Sequence, residues 1–142
     1  MAYSTYADLI KKHDEQYLIQ LSDDDGDGIA DAVVIDEAIA QADAEINARI
    51  SMRYSVPMNP VPALATSISA TLAIGNLYSH RGMDKPDTVK DDVKAAIALL
   101  DRIGEGRATW GEATEPAADT AQLDVRISSQ TRVFNRNNMS GF

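Results

Sequence analysis

The chain of 142 residues has no cysteine, which excludes a disulfide framework, a thiolate zinc site and a thiol nucleophile, and fits a reducing compartment. No stretch approaches the ~18 consecutive apolar residues of a membrane helix. The start, Met1-Ala-Tyr-Ser-Thr-Tyr, lacks the basic-then-apolar pattern of an export signal, so the reading is soluble, unexported and without a membrane partner. Positive charge is also short, with 13 Lys and Arg against 22 Asp and Glu, a net −9. Phosphate binding is driven by basic side chains that displace condensed counterions, so this balance argues against general affinity for DNA or an anionic membrane surface. Histidine occurs twice, as His13 and His80, far apart in sequence and each beside Lys or Arg at an expected helix end. There a surface imidazole commonly caps free carbonyls. No nucleophile, base and orienting group can be named together, so no catalytic residue is assigned and no enzyme activity is expected. Gly104-Glu-Gly106 follows a helix instead of introducing one after a strand, which excludes a phosphate-cradling loop.

What is present is apolar sequence at helical spacing. An apolar content of 44% over this length is enough for one helical core and too little for two. Thr5-x-x-Asp8 has the form of a capping box and predicts a short helix over Tyr6 to Lys12. Asp14 can cap a second short piece in which Tyr17, Leu18 and Leu21 supply apolar contacts. From Ala32 to about Tyr54, Ile35, Ile39, Ala42, Ile46 and Ile50 recur at steps of three and four, the strongest helix signal in the chain. Pro57, Pro60 and Pro62 then force a turn, and Pro62 suits an early position of the next helix. That helix carries Leu64, Ile68, Leu72 and Leu77, with small residues that allow close approach, and is the expected central helix, ending near Arg81-Gly82. A further helix from about Thr88 to Ile103 places Val89, Val93, Ile97, Leu100 and Ile103 on one side, with Gly104 as its stop. Asp91 and Asp92, and likewise Asp43 and Glu45, read as solvated helix faces. The fold class is all-α, a small bundle of four to five helices with an extended C-terminal arm: a body over 1–106, then a linker and arm over 107–142 that orders on a partner, with Trp110 pinning its start.

Between the second and third helices runs Asp23-Asp24-Asp25-Gly26-Asp27-Gly28. With Gly28 at the sixth position of a calcium loop, Asp23, Asp25 and Asp27 fall at the first, third and fifth, the Ile29 carbonyl at the seventh and Asp31 at the ninth. The twelfth position, which should bring a bidentate carboxylate from the outgoing helix, is Val34, and Asp36 and Glu37 lie too far along to replace it. The small Ala30 stands where a branched apolar residue is usual. Calcium is therefore the alternative reading. The preferred one is a solvated glycine turn whose carboxylates favour the positive end of the next helix.

The last stretch, residues 125–142, holds Arg126, Arg132 and Arg136 and no acid, a net +3, so the rest of the chain carries 10 bases and 22 acids, a net −12. Such a segment cannot bury enough surface alone to offset its ordering entropy. Val133, Phe134, Met139 and Phe142 are its candidate apolar anchors, with Arg132 and Arg136 for acidic partners.

Several short segments together carry a resemblance. The N-terminal Met-Ala-Tyr-Ser-Thr-Tyr-Ala-Asp-Leu-Ile, the acidic loop from Leu21 to Gly28, Ala42-Asp-Ala-Glu-Ile-Asn47 with Arg53-Tyr54 and Pro57, the Pro60-Val-Pro62 entry, and Arg132-Val-Phe-Asn-Arg136 with Asn138-Met139 resemble the Mu-like phage head-tail connector proteins in order and spacing over nearly the whole chain. The resemblance implies a small helical neck adaptor of the virion, assembled in the host cytoplasm without enzymatic activity or a required cofactor. Its implied partners are the portal protein, tail-completion or other neck proteins, and copies of itself in a ring, a dodecamer by family analogy, through which viral DNA passes without sequence-specific binding. Two rivals stand beside it: a calcium-stabilised helical module, and a small regulatory protein that uses its basic tail on nucleic acid.

Overall fold

The computed structural model describes residues 1–111 as five α-helices. Helix α1 (Tyr6–Lys12) begins where the Asp8 carboxylate accepts both the Thr5 N–H, at 3.0 Å, and the Thr5 hydroxyl, at 2.7 Å. These bonds fix the entry of the chain into a helix too short to persist alone. Helix α2 (Glu15–Ser22) is capped by Asp14, whose side chain accepts the Gln16 N–H at 3.0 Å, and buries Leu18 and Leu21. Tyr17, expected to supply an apolar contact beside Leu18 and Leu21, is 55% exposed and stacks on the His13 ring.

Helix α3 (Ala32–Ile50) buries Ile35, Ile39, Ala42, Ile46 and Ile50, the stripe that the sequence spacing predicts. It ends four residues earlier than expected. Residues 51–53 form a turn, and the chain then swings so that Tyr54 and Met58 enter the core; burial of these two large side chains decides where the helix stops.

Helix α4 (Ala63–His80) packs against all four other helices, most extensively α3, and is the central helix. Its small residues Ala65, Ser69, Ala70, Ala73 and Gly75 are buried together with Ile68, Leu72, Ile74 and Leu77, as in a helix covered on most sides. Pro62 stands one residue before it, at ψ 145°, as the cap position, not within the first turn. Helix α5 (Asp87–Gly104) lays Val89, Ala96, Leu100 and Ile103 onto α3 and α4, with Val93 and Ile97 half-buried at the seam.

Gly104, expected as the stop of α5, is its last helical residue. The left-handed turn falls at Gly106, φ +78°, and the Arg107 N–H returns to the Arg102 carbonyl at 2.7 Å, satisfying the open helix end. Gly104 serves packing: a Cβ there would run into the backbone carbonyl of Arg49 on α3. The packed body continues to Trp110, which is 2% exposed and meets Tyr54 edge-on at 6.1 Å.

Candidate functional site

Among the described residues, polar or charged side chains gather at the acidic loop, in a buried network beneath the N-terminus, at the ends of α1 and α4, and where Arg49 of α3 pairs with Glu45 and with Asp101 of α5. The acidic loop follows α2 because Gly26 and Gly28 adopt φ near +80°, a backbone state open to glycine at little cost. Its carboxylates fold the turn. Asp23 accepts the Gly26 N–H at 2.6 Å and the Gly28 N–H at 2.9 Å, Asp25 accepts from Asp27, Asp27 from Ile29, and Asp31 from Asp24. Asp23, Asp25 and Asp27 each bring an oxygen within 4.8 Å of the others.

The electrostatics of that cluster are uneven. The Gly28 N–H, with further backbone donors, holds Asp23 below the usual carboxylate range. Asp25 accepts the Asp27 N–H, which favours its charge, but partial desolvation and repulsion from Asp27, Asp31 and Asp23 outweigh that bond and raise its pKa. Asp31 is turned to the Asp24 amide, the Ile29 side chain is 66% exposed, and Val34 is half-buried against the core. The loop thus gathers three of the four carboxylates that the sequence offers and receives none from the first turn of α3.

Asp24, which carries no part of the calcium pattern, ties the loop to the bundle. Its carboxylate meets His80 Nε2 at 3.0 Å and Arg81 at 3.0 Å, and these partners, His80 first, lower its pKa. His80 therefore faces a side chain and does not cap a carbonyl. His13 does likewise: its Nε2 lies 3.0 Å from the Tyr78 hydroxyl, whose pKa is raised by burial and then by Tyr17.

The buried network is what sequence reasoning missed. Asp43, expected on a solvated face, is only 8% exposed. Its carboxylate accepts the Tyr3 N–H at 2.8 Å and the Ser69 hydroxyl at 2.6 Å, and Ser69 Oγ lies 2.8 Å from Ser4 Oγ. The Tyr3 hydroxyl donates to Asn47 and accepts the Met58 N–H at 2.9 Å, while burial raises its pKa. Residues 1–5 thus form a strap pinned to α3, α4 and the proline segment. Between strap and α3 lies an open groove bordered by Met1, Tyr6, Asp36, Ile39, Ala40 and Ala44. The expected contact residues Arg132, Val133, Phe134, Arg136, Met139 and Phe142 lie outside the described residues.

The strap, the loop, residues 42–47 of α3 and the proline segment, four of the segments on which the sequence resembles phage proteins, all belong to one helical body. The family model of bacteriophage Mu Gp36 matches residues 3–129, most of this chain. The chain belongs to the bacteriophage Mu Gp36 family. One relative, the Mu-like prophage FluMu protein gp36 of Haemophilus influenzae, is 23% identical over 140 residues, covering 99% of this chain and 97% of its own length. The match takes in the strap, all five helices and the start of the basic segment, so the Gp36 family shares the whole body and not one motif of it. Among the described residues, no helix of this Gp36-family protein is long and apolar enough to cross a membrane.

Proposed function

We propose that this Gp36-family protein is a non-enzymatic structural component of the virion, a head-tail connector that assembles as a ring beneath the portal. In that place it completes the DNA-filled head, offers the tail its attachment site and leaves a passage for DNA. The observation that carries the reading is the match to a Mu-like phage family over residues 3–129. The physical chemistry is consistent with it. A closed ring needs two different surfaces on each subunit, and a five-helix body offers them. A body that carries 10 bases and 18 acids over residues 1–111, a net −8, withholds the counterion-releasing contacts that would hold a duplex in place. The arm, with Arg132, Val133, Phe134, Arg136, Met139 and Phe142, is the part suited to the portal or a neighbouring subunit.

The test is to image portal-bearing heads incubated with the purified full chain. A ring of added density at the portal vertex is expected, and heads that stay bare overturn the reading. Deleting residues 125–142 should leave a folded body that no longer joins the heads; unchanged joining would remove the arm as the main anchor.

A second reading, a calcium-stabilised module, is favoured by the approach of Asp23, Asp25 and Asp27 within 4.8 Å. It requires a large rise in melting temperature with millimolar calcium that the double change Asp23→Ala, Asp25→Ala abolishes. No response to calcium ends it.

A further inference from the structure

The groove between the strap and α3 has a volume of about 610 Å³ and is open to solvent along its length. Met1, Ala2, Tyr6, Ala40 and Ala44 give it an accessible apolar lining beside the buried Ile39, and Ser4, Thr5 and Asn47 add polar groups. Its two carboxylates differ in availability. Asp43 is buried and engaged with Tyr3 and Ser69, whereas Asp36 is exposed at one end. No Lys or Arg is among the described residues that line it. From Asp36 to Asn47 it follows α3 for about 16 Å, at 1.5 Å per residue. An extended peptide of about five residues spans that distance. The groove is therefore more apolar than polar, acidic at one end and of peptide length.

The chain itself contains a segment of opposite character. Residues 125–142 carry three arginines and no acid, and Val133-Phe134 lies between Arg132 and Arg136. The 13 residues from 112 to 124 that join it to the body can reach about 45 Å when extended. A body of this size has a radius of gyration of about 13 Å. The segment can therefore reach the groove on its own body or on an adjacent copy.

We propose that this groove is the docking site of the basic C-terminal segment, with Val133 and Phe134 on the apolar lining and a flanking arginine on Asp36. One phenyl and one isopropyl group removed from water and the Arg–carboxylate pair together supply the affinity, and the pair fixes the direction of the peptide. The assignment does not rest on the connector reading, because its test involves neither heads nor portal.

The absence of native cysteine makes the test direct. Full-length Ala40→Cys, Asn135→Cys protein, which keeps Val133 and Phe134, is treated with a short bis-maleimide and compared with Ala95→Cys, Asn135→Cys, in which residue 95 is exposed on α5, away from the groove. Cross-linking through residue 40 is expected in roughly tenfold excess, the effect of about 1.4 kcal/mol of docking. Mixing Ala40→Cys chains with Asn135→Cys chains reads whether the contact joins two copies or lies within one, and either places the segment in the groove. Asp36→Arg, a change at an exposed position, should abolish the excess. Equal cross-linking at residues 40 and 95 overturns the proposal, as does an excess that survives both Asp36→Arg and high salt.

Discussion

The Asp43 carboxylate on α3 accepts the Ser69 hydroxyl of α4 at 2.6 Å, and its other oxygen accepts the Tyr3 N–H at 2.8 Å. One buried anion thereby joins the two most extensively packed helices to the N-terminal strap. With its hydroxyl proton given to Asp43, Ser69 accepts from Ser4, so the donors run in one direction toward the charge. A buried charge supported in this way stabilises the fold only while its donors stay in place.

Asp43→Ala should lower stability by about 2–3 kcal/mol, since it strands the Tyr3 amide and the Ser69 hydroxyl without their charged acceptor. Urea unfolding followed by circular dichroism measures this. Ser69→Ala should cost less, about 1 kcal/mol, because the Tyr3 bond to Asp43 remains. Equal losses for the two changes would show that the strap contributes nothing through this carboxylate.

The N-terminus of α1 predicts a pH dependence. Lys11 first, then the Thr5 hydroxyl and N–H, lower the Asp8 pKa from 3.8 to about 2. A carboxyl whose folded pKa is depressed adds stability that is fully present above its unfolded pKa and is lost as pH falls toward its folded one. The contribution of Asp8 should therefore be intact at pH 6 and fade between about pH 4 and pH 2. Discounted for solvent screening of the exposed Lys11, it is worth about 1 kcal/mol. Asp8→Asn should be less stable than the parent by that amount at pH 6 and equal to it at pH 1.5. A gap that stays constant with pH would assign the effect to shape and not to charge.

Gly104→Ala tests a close approach. Alanine gains helix propensity of up to about 1 kcal/mol over glycine, less at a helix end. The added Cβ, however, meets the Arg49 backbone carbonyl, which is not a flexible side-chain tip that can turn away. Overpacking of this kind costs about 1–3 kcal/mol, so the net change should be a loss of about 1–2 kcal/mol and a lower melting temperature. A raised melting temperature would mean that α3 and α5 part without cost.

The sequence made the helices legible where the apolar period was long, and much less so where contacts across the chain decided the outcome. The stripe Ile35, Ile39, Ala42, Ile46, Ile50 marks both α3 and its buried face. The same stripe held an overlooked signal: Asp43 lies four residues after Ile39 and three before Ile46, at helical steps of the buried face. Read by residue type alone, it passed for surface. Its partners Tyr3 and Ser4 lie some 40 and 65 residues from Asp43 and Ser69 in the chain, a separation that local spacing does not reveal. Similarly, the end of α3 was set by Tyr54 and Met58 reaching the core, a tertiary demand that overrides helix propensity. In the acidic loop the approach of Asp23, Asp25 and Asp27 was legible from their alternation, whereas the tie from Asp24 to His80 and Arg81 required the return of α4 beside them.

The two carboxylates at the start of that loop should respond oppositely to neutralisation. Asp23 holds the turn closed through the Gly26 and Gly28 amides, whereas Asp25 has one backbone donor and three acidic neighbours. In calcium-free buffer at pH 7, Asp23→Ala should therefore lower the melting temperature. Asp25→Asn keeps an acceptor for the Asp27 amide and removes the repulsion, so it should leave the melting temperature unchanged or raise it. A lower melting temperature for Asp25→Asn in the same buffer would mean that the clustered charge is not a liability to the fold, and would contradict the repulsion from Asp27, Asp31 and Asp23 that, after desolvation, raises its pKa.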